Sequence, residues 1–85
     1  MIVEYTKQAL KALKSYDKPT REMIRSKIQG LLEIPPIGDI KPLLGHKGIF
    51  RLRVGKYRVL YQYNLNKEPK ILTINKIDSR GDIYK

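Results

Sequence analysis

The sequence contains no cysteine and a single histidine, His46. Without thiols, neither a disulfide nor a thiolate metal site supports the fold, which fits a reducing compartment. One imidazole cannot build a metal centre by itself, and no metal or other cofactor is expected. Long apolar runs are missing too, since nothing approaches the roughly 20 residues that a membrane-spanning helix needs. The opening MIVEYTKQAL lacks the basic-then-apolar order of a signal peptide. The expected location is therefore the cytoplasm, with no membrane association. Acidic residues are scarce: 8 Asp plus Glu stand against 18 Lys plus Arg, for a formal net charge of +10. At 85 residues the chain has room for one core, and a single domain over residues 1–85 is expected.

What is present is a basic excess concentrated late in the chain. Residues 46–85 hold ten basic and three acidic side chains, or +7 of the total. A field of that sign draws polyanions, whether nucleic acid, an acidic protein or a lipid surface. A plain solvated surface is the competing account.

The organisation along the chain is simple. Residues 2–5 (IVEY) are short and β-prone. Thr6 is placed to cap a helix with Ala9, Leu13 and Tyr16 on one face. Asp17–Thr20 (DKPT) reads as a turn and helix start, with the proline where a first turn tolerates it. The second helix is predicted to run to about Glu33, with Ile24, Ile28, Leu31 and Leu32 as its apolar stripe, and Pro35 and Pro36 stop it. The segment IGDIKPLLGHKG, rich in Gly and Pro, reads as a loop anchored in the core by Leu43 and Leu44. FRLRV, YRVLYQYNL and KILTINKI read as strands, separated by Gly55-Lys56 and by NKEP at 66–69. Glycine first in a two-residue connection suits a type II′ hairpin. The expected fold is α+β, with two N-terminal helices packed on a small, mostly antiparallel four-stranded sheet.

That hairpin sets an unusual array of charge. If Val54 pairs with Tyr57, Arg53 lies opposite Arg58 and Leu52 opposite Val59. Phe50, Leu52, Val54, Tyr57, Val59 and Tyr61 then share a face toward the helices, and Arg51, Arg53 and Arg58 share the other. Like charges in direct opposition cost stability, and a bound anion removes that cost. Guanidinium stays protonated and offers paired donors that match phosphate oxygens. Solvation, or pairing with Glu68, Asp78 or Asp82, is the alternative. The tail IDSRGDIYK adds Arg80 and Tyr84. A phenol among positive charges ionises below its usual pKa of about 10, which suits a proton acceptor; a stacking role for Tyr84 is the other option.

The stretch PIGDIKPLLGHKGIFRLRVGKYRVLYQY, followed by INKIDSRGDIYK, resembles the RelE/ParE toxin superfamily. Its members tend to show a K-L-x-G … R-x-R-V-G-x-Y-R-V-x-Y core and an R-x-D-x-Y tail. The resemblance spans the whole chain and implies a toxin of a type II toxin–antitoxin pair. RelE-like members cleave mRNA in the ribosomal A site, whereas ParE-like members poison DNA gyrase and lack the nuclease residues. On the matching positions it implies Arg58, Arg80 and Tyr84 as catalytic, with Arg51 and Arg53 binding RNA phosphate; Lys56 and Lys47 beside them are expected to bind RNA phosphate as well. The chemistry implied is metal-independent, the RNA 2′-hydroxyl being the nucleophile. Many members have a histidine before the tail arginine, where this chain has Ser79. His46, in the loop, reads as a surface residue. Implied partners are the ribosome with its mRNA and a cognate RelB-like antitoxin, for which Lys7, Lys11, Lys14, Arg21, Arg25 and Lys27 on the helices would suit. A gyrase-directed toxin and a non-catalytic nucleic-acid-binding module are the alternatives, and a plainly solvated helix face is the simpler account of the helix lysines and arginines.

Overall fold

Two side-chain caps start the helices, as the sequence predicts. The Thr6 hydroxyl accepts from the Ala9 amide at 3.2 Å, and Asp17 Oδ1 accepts from the Thr20 amide at the same distance. Each satisfies an N–H group that a helix start leaves unpaired. The structure, a computed structural model, describes residues 1–79. Helix α1 spans Lys7–Ser15 and α2 spans Lys18–Gln29. Gly30–Leu32 then tightens into a 3₁₀ turn, so the helix expected to reach Glu33 ends in a different hydrogen-bond pattern. Among the described residues no helix is long and apolar enough to cross a membrane.

The architecture is α+β, but the sheet has five strands where four were expected. They are β1 (Ile2–Tyr5), β2 (Asp39–Pro42), β3 (Phe50–Val54), β4 (Tyr57–Asn64) and β5 (Ile71–Ser79). Their order is β1-β5-β4-β3-β2, with β1 parallel to β5 and the other pairs antiparallel. The added strand is β2, within the segment expected to be a loop. Its Gly and Pro neighbours obscure it, yet Pro42 sits at the end of an edge strand, where a missing N–H is tolerated. Leu43 is half-buried, but Leu44 is 93% exposed and anchors nothing in the core.

The hairpin register is the expected one: Leu52 faces Val59, Arg53 faces Arg58 and Val54 faces Tyr57. Gly55 has φ 59° and Lys56 does not share a positive φ, which matches a type II′ turn rather than I′. The apolar face of the sheet meets Ala9, Leu13, Ile24, Ile28 and Leu31 in one core cluster with Leu52, Val54, Val59, Tyr61, Leu72, Ile74 and Ile77. A bulge in β5 keeps this face consistent. Leu60 pairs with Lys76 but Tyr61 pairs with Ile74, leaving Asn75 as the extra residue. Strict alternation from Leu72 and Ile74 would bury Lys76 and Asp78; the bulge buries Ile77 instead. Asn75 is pinned on both sides, its carbonyl accepting from the Thr6 hydroxyl at 2.7 Å and its Nδ2 donating to Gln62 Oε1 at 3.0 Å.

Gly38 sets the entry to β2. Its φ is +147°, and a Cβ there would lie 2.7 Å from Leu52 Cδ1, inside the packed core. Gly38→Ala should therefore lower stability by about 1–3 kcal/mol through overpacking and backbone strain. Gly45→Ala, at φ +79° with open space around it, should show the strain alone and cost less. Urea unfolding of the two variants checks this, and equal losses would contradict the close contact with Leu52.

Candidate functional site

The face of the sheet away from the helices is built by alternation. On β3 and β4, every residue that points Leu52 or Val59 inward leaves its neighbour outward, and the result is a row of charge across four strands. Asp39, Arg53, Arg58 and Asp78 are successive cross-strand partners on β2, β3, β4 and β5. Beside them runs a second row, Lys41, Arg51, Leu60 and Lys76. The opposed arginines thus have an acid on each outer flank. Asp78 also lies 3.2 Å from Lys76 through Oδ2 and Nζ.

Arg51, Arg53 and Arg58 converge as expected. With Lys41 and the apolar Pro42, Leu43 and Leu44 they line a concavity of about 340 Å³. Arg51 and Arg58 retain only 6% and 8% of their exposure, so their charges act in a medium where water screens little. Asp39 accounts for the arginines on its side. Arg53 Nε donates to Asp39 Oδ2 at 2.9 Å, and Arg51 Nη2 donates to Oδ1 at 3.3 Å. The acids offered by the alternative reading were Glu68, Asp78 and Asp82; the one that touches Arg51 and Arg53 is Asp39. Reasoning from the sequence missed it, together with Lys41, because both lie in the segment read as loop. The available signal was Asp39-Ile40-Lys41, the same polar-apolar-polar alternation as Arg51-Leu52-Arg53.

Lys47 and Lys56, also expected at the site, lie elsewhere. Lys56 Nζ sits 5.5 Å from the Tyr57 ring centroid, and Lys47 is exposed in the β2–β3 loop beside the exposed His46; neither lysine lines the concavity. Arg80 and Tyr84 lie outside the described residues, and Ser79, opposite Tyr57 in register, is the last one within them. Burial pushes the phenols of Tyr5, Tyr61 and Tyr63 up from 10.0, so these three are neutral at physiological pH.

A family model described as the ParE toxin of the type II toxin–antitoxin system parDE matches residues 3–84. The chain belongs to the RelE/ParE superfamily of toxins. A toxin named RelE1 from Methanocaldococcus jannaschii is 36% identical over 98% of this chain and 93% of its own length. In solved structures, the RelE–RelB complex of Pyrococcus horikoshii is similar with 31% identity, a TM-score of 0.72 and 94% of each chain covered. The RelB–RelE antitoxin–toxin complex of Methanococcus jannaschii is similar at 25% identity and a TM-score of 0.74, over 95% of this chain and 94% of that one. The protein is thus the toxin of a RelBE-type toxin–antitoxin system.

Asp39 in this toxin has a defined acid-side behaviour. Loss of hydration raises its pKa, but the charge and hydrogen bond of Arg53, then of Arg51, outweigh that and hold the carboxyl below its ordinary 3.8. A group depressed in the folded state adds stability above its unfolded pKa and loses that contribution as pH falls through the folded value. The stability advantage of the natural protein over Asp39→Asn should hold steady above the ordinary carboxylate range and shrink as pH falls below it. Urea unfolding at a series of pH values measures it, and a gap independent of pH would refute the ion pairing.

Proposed function

We propose that this toxin is a ribosome-dependent endoribonuclease that cleaves mRNA in the A site and so halts translation. The observation behind this reading is the convergence of Arg51, Arg53 and Arg58 on one concavity in a RelE-type chain. RNA brings its own nucleophile in the 2′-hydroxyl, so the protein has to hold the backbone in line and stabilise charge on the phosphate oxygens. Arg58 and Arg80 act on the scissile phosphate; Arg51 and Arg53 bind phosphate and spread its charge. Guanidinium forks suit this through paired N–H···O contacts. Tyr84 accepts the 2′-hydroxyl proton or stacks on a base. The 2′-oxygen gives up its proton and bonds to phosphorus as the bond from phosphorus to the 5′-oxygen breaks, and the departing 5′-oxygen takes a proton from water, giving a 2′,3′-cyclic phosphate and a 5′-hydroxyl. No metal takes part in this scheme. The Leu43 and Leu44 side of the concavity offers an apolar surface against which a base can lie. Lys47 and Lys56 contribute through the general positive field around the hairpin.

Primer extension on translated mRNA tests the reading. The unsubstituted toxin should give discrete cleavages within codons on the ribosome. Arg53→Ala, at an exposed side chain, and Arg80→Ala should each reduce the rate by about 10²- to 10³-fold, as loss of a charge-stabilising donor does. Tyr84→Phe should cost about 10²- to 10⁴-fold if the phenol moves the proton. Uncut mRNA with the unsubstituted toxin would overturn the proposal.

The family model's description as ParE favours one other reading, a DNA gyrase inhibitor. Inhibited supercoiling with intact mRNA would select it. On either reading we assign a RelB-like antitoxin as partner, as found with the similar toxins of P. horikoshii and M. jannaschii. The exposed Lys7, Lys11 and Lys14 line a depression with Leu10 on α1, a surface suited to an acidic, amphipathic segment. Arg25 and Lys27 are exposed on α2, and Arg21 donates to the Tyr16 carbonyl at 3.2 Å. A tagged toxin should recover a small acidic protein from native extract, and Lys7→Glu with Lys11→Glu should weaken the capture by about tenfold or more, since like-charge contacts cost several kcal/mol. Unchanged capture would move the contact away from α1.

A further inference from the structure

Asp39 is a carboxylate in the wrong place for a protein that only gathers positive charge. It lies on the face that presents Arg51, Arg53 and Arg58, it is 42% exposed, and it cancels one charge of the cluster that would attract a phosphate. Its geometry explains the cost. Asp39 takes Arg53 by Nε, the nitrogen nearest the chain, and Arg51 by Nη2 alone. A guanidinium has five N–H donors in a fixed fork. Gripped in this way, Arg53 keeps both Nη groups for another acceptor, and Arg51 keeps Nε and Nη1. Asp39 does not itself line the concavity that these arginines line.

The row of charge supplies the second half of the reasoning. Arg53 stands directly opposite Arg58, and two like charges at cross-strand distance repel. Asp39 flanks Arg53 on the side away from Arg58, so its pull draws Arg53 outward along the row while the strand holds its stem. Arg51, at 7% side-chain exposure, is desolvated, and a buried charge deprived of its partner is strongly disfavoured. The carboxylate thus does for two arginines what a bound phosphate would do.

We propose that Asp39 is a positioning residue of the phosphate site: its carboxylate fixes Arg51 and Arg53 with their remaining N–H donors turned to the substrate, giving up local field in exchange for geometry. This rests on the nuclease reading, and its consequences separate binding from turnover. In Asp39→Asn one charge of repulsion toward polyanions is gone, so affinity rises or holds. The amide replaces one of the two accepting oxygens with an NH2 that only donates, so the contact to Arg51 or to Arg53 is lost and the pair loses its fixed arrangement. Misplacement on the ångström scale can cost about 10²-fold in rate.

The test has two arms. In the first, a single-stranded DNA oligonucleotide, which lacks the 2′-hydroxyl and is not cut, is titrated into the full-length toxin at several salt concentrations. Asp39→Asn should bind at least as tightly as the unsubstituted toxin, with a log–log salt slope steeper by about 0.7, the increment for one more effective phosphate contact on a single strand. In the second, cleavage of translated mRNA should fall by roughly 10- to 100-fold in Asp39→Asn, and Asp39→Glu, which keeps the charge, should recover part of the loss. Weaker DNA binding by Asp39→Asn, or an unchanged salt slope, overturns the proposal, as does cleavage at the unsubstituted rate. If the unsubstituted toxin itself cuts no mRNA, the nuclease reading fails. The first arm, together with the ¹⁵N shift of the Arg53 Nε–H group, still decides the proposal: a resonance unmoved by Asp39→Asn would show that the carboxylate does not hold the arginine.

Discussion

The pairing of Leu52 with Val59 fixes the chemistry of the opposite face. Both are fully buried against the helices, and a slip of one residue would expose them and turn Arg51, Arg53 and Arg58 into the core. Neither outcome is tolerable, so the hairpin has one register. Gly55 closes it with the turn that this register requires. Arg53 opposite Arg58 is the by-product of an apolar pairing one position away, and the structure then accommodates it from the flanks.

That accommodation shows how a small sheet handles a concentrated charge. Acids sit at the outer ends of the row, Asp39 on the edge strand and Asp78 on β5, and the arginines occupy the middle. The edge strand has a double use. It covers the backbone of β3, which would otherwise be an open edge, and it delivers Asp39 and Lys41 to the same face as Arg51 and Arg53. Gly38 makes this possible by letting the chain pass against Leu52. A contact in the core thereby governs where a surface carboxylate lies.

The bulge at Asn75 plays a matching part on the other side. It joins the start of α1 to β5 through the Thr6 hydroxyl, and it returns Lys76 and Asp78 to the charged face. Helix cap, bulge and charge row are one connected arrangement, in which a local irregularity preserves the separation of apolar and charged faces. The convergence of Arg51, Arg53 and Arg58 rests on that separation, because the arginines stand together only while they share a face.

The helix starts at Thr6 and Asp17, the three long strands, the turn at Gly55 and the face shared by the three arginines were legible in the sequence. Each follows from chain-local rules: capping hydroxyls and carboxylates, the two-residue period of a strand, and the freedom of glycine at positive φ. Family motifs added the toxin class. The fifth strand, the bulge, the solvent position of Leu44 and the Asp39 contact were decided by tertiary structure alone. A four-residue edge strand is defined by its partner rather than its own propensity, a bulge by the conflict between two apolar spacings, and an ion pair fourteen residues apart along the chain by the strand pairing that brings its ends together.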